Sequence, residues 1–185
     1  MKLNKILLTL AIAGSMLLVA CGGAKLDEAA KAEMAKFEGD WMAASASLSS
    51  MPAEIKASFD ASKSSCDSVC SGKECKKDQK EACDSLKESC KNIQTQMEEM
   101  MKVAEAKVAA TEADSKAWSE WKAKADKGEI KIEDFKKSME DWNLKISDIN
   151  ASVSEWKSKL EDLKKNCMSN CESIKGCCEE KKDKK

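Results

Sequence analysis

Nine cysteines lie downstream of residue 65 in this 185-residue chain: Cys66, Cys70, Cys75, Cys83, Cys90, Cys167, Cys171, Cys177 and Cys178. They fall into two stretches, 66–90 and 167–178, with none between. Cys66-x3-Cys70 and Cys167-x3-Cys171 place two sulfurs one turn apart if each stretch is helical. Thiols so grouped can form disulfides, hold a soft cation such as Cu(I) or Zn(II), or act as nucleophiles. Met97, Met100 and Met101 add soft thioethers nearby. Cys-x-x-Cys is absent, which argues against a thioredoxin-like redox site. The rest of the composition is poor in catalytic equipment. All 32 basic residues are lysine, and there is no histidine, arginine or tyrosine. Histidine is the usual general base and arginine the usual bidentate clamp for phosphate. Most hydrolytic, phosphoryl-transfer and nucleic-acid functions are thereby disfavoured. No glycine-rich phosphate loop occurs, and no carboxylate pair stands out among the surface acids.

The elements that must position these cysteines are helical. One proline and seven glycines in the whole chain leave few interruptions. Ile132, Phe135, Met139, Trp142, Ile146, Ile149, Val153, Trp156, Leu160, Leu163 and Cys167 keep 3-4 spacing, the mark of a long helix with a narrow apolar seam. Asn170, Ile174 and Cys177 continue it with one polar interruption. Upstream, Cys83, Leu86, Cys90, Ile93, Met97, Met100 and Ala104 hold a similar register. It weakens at Lys107, Thr111 and Ser115 and resumes at Trp118, Trp121 and Ala125. Gly128 marks the hairpin turn between the two, since it tolerates positive φ. A third seam runs through Leu26, Ala30, Met34, Phe37, Trp41, Ala44, Leu48, Met51, Ile55, Phe59, Cys66 and Val69. Pro52 predicts a break or restart there.

The expected fold is therefore all-α: an elongated antiparallel three-helix bundle, or a coiled-coil hairpin with a packed first helix. Its segments run over roughly 25–70, 77–126 and 131–177, each about 70 Å long. A turn is expected at Ser71-Gly72-Lys73, and residues 179–185 read as a charged, disordered tail. Trp118, Trp121 and Trp142 should meet near the Gly128 turn as core packing.

Folding this plan brings all nine cysteines to one pole. Counting outward from the Gly128 turn, Cys90 meets Cys167, and Cys83 comes within a turn of Cys171. These are the two best disulfide candidates. Cys66, Cys70, Cys75, Cys177 and Cys178 are further candidates whose partners the spacing leaves open. Nine is odd, so one thiol remains over. Disulfides that cross-link the end of the bundle are the preferred reading, and a thiolate metal site is the alternative. No metal or other cofactor is assigned. The alternative is similar to copper-storage bundles, which line a helical core with cysteines, although here the cysteines crowd one end.

The first 21 residues supply an address. Lys2 and Lys5 precede an apolar run from Ile6 to Ala20, which is the layout of an export signal and too short for an ordinary spanning helix. Leu18-Val19-Ala20-Cys21 resembles the lipobox of bacterial lipoproteins. The resemblance implies removal of residues 1–20, lipidation of Cys21 and a membrane anchor at the new N-terminus. Gly22, in place of aspartate, is compatible with the outer membrane by the rule for enteric lipoproteins. An oxidising compartment follows, which favours disulfides. Without Lys2 and Lys5, 30 lysines face 33 acidic residues, a net charge of −3. Terminal Lys185 is similar in position to the lysine through which the murein lipoprotein of enteric bacteria joins peptidoglycan; a solubilising tail is the preferred reading. The sequence thus suggests a non-enzymatic, lipid-anchored structural or adaptor protein of the cell envelope. Its partners would be the membrane and an envelope protein or component, not nucleic acid.

Overall fold

The computed structural model describes residues 26–70 and 73–180. The signal segment, Cys21 and Lys185 lie outside the described residues. Three long helices pack against one another: α1 (Glu28–Cys70), α2 (Lys80–Asp126) and α3 (Ile132–Cys177). A short 3-10 turn over Lys77–Gln79 leads into α2. At 47 residues, α2 is about 70 Å long. Among the described residues, no helix is long and apolar enough to cross a membrane.

The α1 helix opens at Asp27, whose carboxylate accepts the Ala30 N–H at 2.8 Å, capping free donors of the first turn. The α2–α3 hairpin turns at Gly128, with φ 73°. There the Gly128 and Glu129 N–H groups reach back to the Ala125 and Lys124 carbonyls at 3.0 Å. Positive φ is costly for any residue with a Cβ, so the turn needs glycine.

The seam residues form one continuous core. At the Gly128 pole it is aromatic. Phe37 and Trp118 have ring centroids 4.2 Å apart, Trp118 and Trp142 5.5 Å, and Trp118 and Trp121 5.0 Å. Trp41 Nε1 donates to Ser115 Oγ at 3.0 Å. The weak stretch of the α2 seam is therefore polar for a reason: Ser115 satisfies an indole, and Lys107 pairs with Asp148 at the surface.

The structure departs from the expected plan in three places. First, α1 runs through Pro52 without stopping. Leu48, Met51 and Ile55 are fully buried around it. Their burial, about 1.5–3 kcal/mol per side chain, outweighs the roughly 3 kcal/mol that an interior proline costs. Second, the inward positions between Ile55 and Cys66 belong to Ser58 and Ser62, with Phe59 only partly buried. Ser58 satisfies its hydroxyl on the Glu54 carbonyl at 2.9 Å. Third, the tail begins later than expected. Cys178–Glu180 forms a strand, β2, antiparallel to β1 (Lys73–Cys75). Two three-residue strands are held here because each is continuous with a docked helix or turn. The five residues beyond, 181–185, lie outside the described residues.

Candidate thiol pole

The α1–α2 connection and the end of α3 meet at the pole away from the Gly128 turn. The cysteines gather there in two layers. No two described sulfurs approach bonding distance; the closest pair is 3.2 Å apart. The expected cross-links are therefore not shown among the described residues.

The inner layer contains Cys66, Cys90, Cys167 and Cys171, whose four sulfurs all lie within 4.8 Å of one another. All three helices contribute: Cys66 from the last turns of α1, Cys90 from the third turn of α2, and Cys167 with Cys171 from successive turns of α3. Cys66 Sγ is 3.2 Å from Cys171 Sγ and 3.7 Å from Cys167 Sγ. Cys167 also points its thiol at the Ser62 carbonyl, 3.9 Å away. Each of the four is at most 7% exposed. Burial drives the Cys66 thiol far above its ordinary range, and the neighbouring thiols of Cys171, Cys90 and Cys167 add to the effect. Burial likewise pushes Cys171 up to about 11, against a hydrogen bond from Cys66 that pulls it down. Without a counter-charge, burial therefore favours the neutral thiol at Cys66 and Cys171.

The outer layer contains Cys75, Cys83 and Cys178, again with sulfurs within 4.8 Å of one another. Cys75 and Cys178 stand directly opposite on the two-stranded ladder, with sulfurs 3.8 Å apart. The neighbouring Lys76 N–H donates to the Cys177 carbonyl at 3.1 Å. That makes Cys75–Cys178 a non-hydrogen-bonded pair, in which side chains approach most closely. Cys83 is fully buried, and burial raises its pKa to about 12. Cys178 is raised by burial as well. Cys75 moves the other way. A hydrogen bond from Cys83, another from Cys178 and the Lys87 ammonium all stabilise its thiolate. Lys87 Nζ lies 3.7 Å from its sulfur.

Comparison with known proteins finds no matching family model, curated protein or solved structure.

The residues singled out in the sequence are thus sorted by height. Cys90 and Cys167 share the inner layer, as their spacing suggests. Cys83 and Cys171 are placed in different layers. A three-residue mismatch amounts to about 4.5 Å along a helix axis, and the bundle keeps that offset instead of absorbing it by tilting. Cys177 is half-buried beside the core. Cys70 closes α1, and its side chain lies outside those described. Two features were missed from sequence: the ribbon that pairs Cys75 with Cys178, and the ammonium beside Cys75. Lys87 lies one turn from Cys83 and one from Cys90, which is a signal that helical counting could have used. Asn170, the polar break in the α3 seam, donates to Ser89 Oγ at 2.9 Å across the α2–α3 edge.

Proposed function

We propose that the protein is a lipid-anchored, non-catalytic rod of the bacterial cell envelope. Lipid on Cys21 holds the aromatic pole at a membrane, and the thiol pole is presented to an envelope partner. The observation that supports this most is the polarity of the fold. The α1 helix starts beside the end of α2, where Asp126 acts on Lys31, and the cysteines gather about one helix length away. An anchor at the N-terminus therefore leaves the thiol pole as the far end. The same reading includes a disulfide at that pole, for which Cys75 and Cys178 are the best placed. Facing residues of a non-hydrogen-bonded pair have Cα atoms about 4.5 Å apart, inside the range a disulfide spans. A side-chain rotation closes the remaining sulfur gap.

The test is Cys21→Ala in an exporting bacterial host. Wild type should incorporate labelled fatty acid and partition with membranes, and the variant should lose both. A variant that keeps label and membrane partitioning removes the anchor reading.

A further inference from the structure

We propose that Cys66, Cys90, Cys167 and Cys171 form a tetrathiolate site for one zinc(II) ion in the bundle core. The inference stands apart from the anchor reading, because it uses only the inner layer. Four points carry it. A tetrahedral zinc–thiolate centre has metal–sulfur bonds of about 2.3 Å, which sets sulfur–sulfur edges near 3.8 Å. The four sulfurs lie within 4.8 Å of one another, and two of the edges measure 3.2 and 3.7 Å. They converge on one point instead of sorting into two couples, since Cys66 approaches both Cys167 and Cys171. The donor set is all sulfur, which suits a tetrahedral d10 ion and not magnesium or calcium. Finally, the site is closed: all four ligands are buried and come from three helices, as in structural zinc sites with no open position.

Binding is an exchange of protons for metal. Four thiols release four protons to solvent as four zinc–sulfur bonds form, leaving a centre of charge −2. No electron is transferred. Zinc thereby ties together α1, α2 and α3 at a single level, while the outer layer remains available for a disulfide. The Asn170–Ser89 contact lies next to Cys171 and closes the α2–α3 edge of the site.

The experiment uses the chain as an exporting bacterial host produces it, purified in detergent without chelator. Elemental analysis and intact mass should give about one zinc per chain, with the four inner thiols at their reduced mass. In Cys90→Ser and Cys171→Ser, zinc should fall below about a tenth of an equivalent. In Cys75→Ser/Cys178→Ser it should stay near one. Misfolding of a serine variant would also release zinc, so the unmodified chain provides an independent readout. Stripping zinc with a chelator should expose four additional titratable thiols. Replacing it with cobalt(II) should produce the visible absorption of a tetrahedral all-thiolate site. Three results overturn the proposal: no bound zinc with the four sulfurs linked as two disulfides, zinc retained in Cys90→Ser and Cys171→Ser, or copper alone at the site.

Discussion

The disulfide proposed between Cys75 and Cys178 predicts that its loss should weaken the fold by a calculable amount. Bonding those sulfurs closes a loop spanning 103 positions. Loop-closure entropy at that length corresponds to about 4.7 kcal/mol, an upper bound, because measured values run nearer 2–4 kcal/mol. Part of the difference arises because long helical segments keep residual order when denatured. For a domain of this size, each kcal/mol moves Tm by about 2–4 °C. Cys178→Ala should therefore lower Tm by about 5–15 °C relative to the oxidised wild type. Thermal and urea unfolding, followed by circular dichroism, checks this with and without a non-chelating phosphine reductant. Reductant should bring wild type down to the level of Cys178→Ala and leave that variant unchanged. Cys83→Ala should retain the reductant-sensitive step. Coincident unfolding of oxidised wild type and Cys178→Ala refutes the cross-link. Loss of the reductant step in Cys83→Ala instead assigns the bond to Cys83.

Two further predictions concern the core and the thiols. Phe37→Ala removes a fully buried ring that touches Trp41, Trp118 and Trp142; urea unfolding should show a loss of about 3–5 kcal/mol, with a changed near-ultraviolet tryptophan signal. In the reduced protein, the Cys83 pKa is raised from 9.0 to about 12, so the folded state favours the neutral thiol. That contribution is fully present below pH 9 and is lost as pH rises from 9 towards 12. Cys75, Cys178 and Lys87 face the same group, so Cys83→Ala is the control; its stability should fall less over that interval.

The helices were legible because heptad spacing is a local property that survives in a single strand of text. Leu160, Leu163 and Cys167 had to face inward wherever the partner helices lay. The Gly128 turn was equally local, since a single residue with positive φ ends one helix and admits the next. The errors came where packing from other helices decides. Pro52 reads as a break, but its local cost is overcome by the buried Leu48, Met51 and Ile55 around it. Phe59 looks more apolar than Ser58, yet the rotation of α1 is fixed by all its contacts together. The thiol pole was half legible. Spacing brought the cysteines to one end, but it gave no way to know that a few ångströms of axial offset would divide them into layers of four and three. The ribbon was invisible, because two charged residues beside a cysteine carry no strand signal without their partner.

The α1 helix begins at one end of the rod and α3 ends at the other, and these two helices run parallel. A pull between the two ends would load their shared interface in shear along its whole length. Sliding requires many seam contacts to yield together, whereas peeling a hairpin open breaks them one turn at a time. The ribbon places the end of α3 against the start of the α2 segment, so the end that would bear such a load is also the one clasped to its neighbours. Connectivity and seam packing together lead us to expect more resistance to extension along the axis than to prising the α2–α3 hairpin apart sideways.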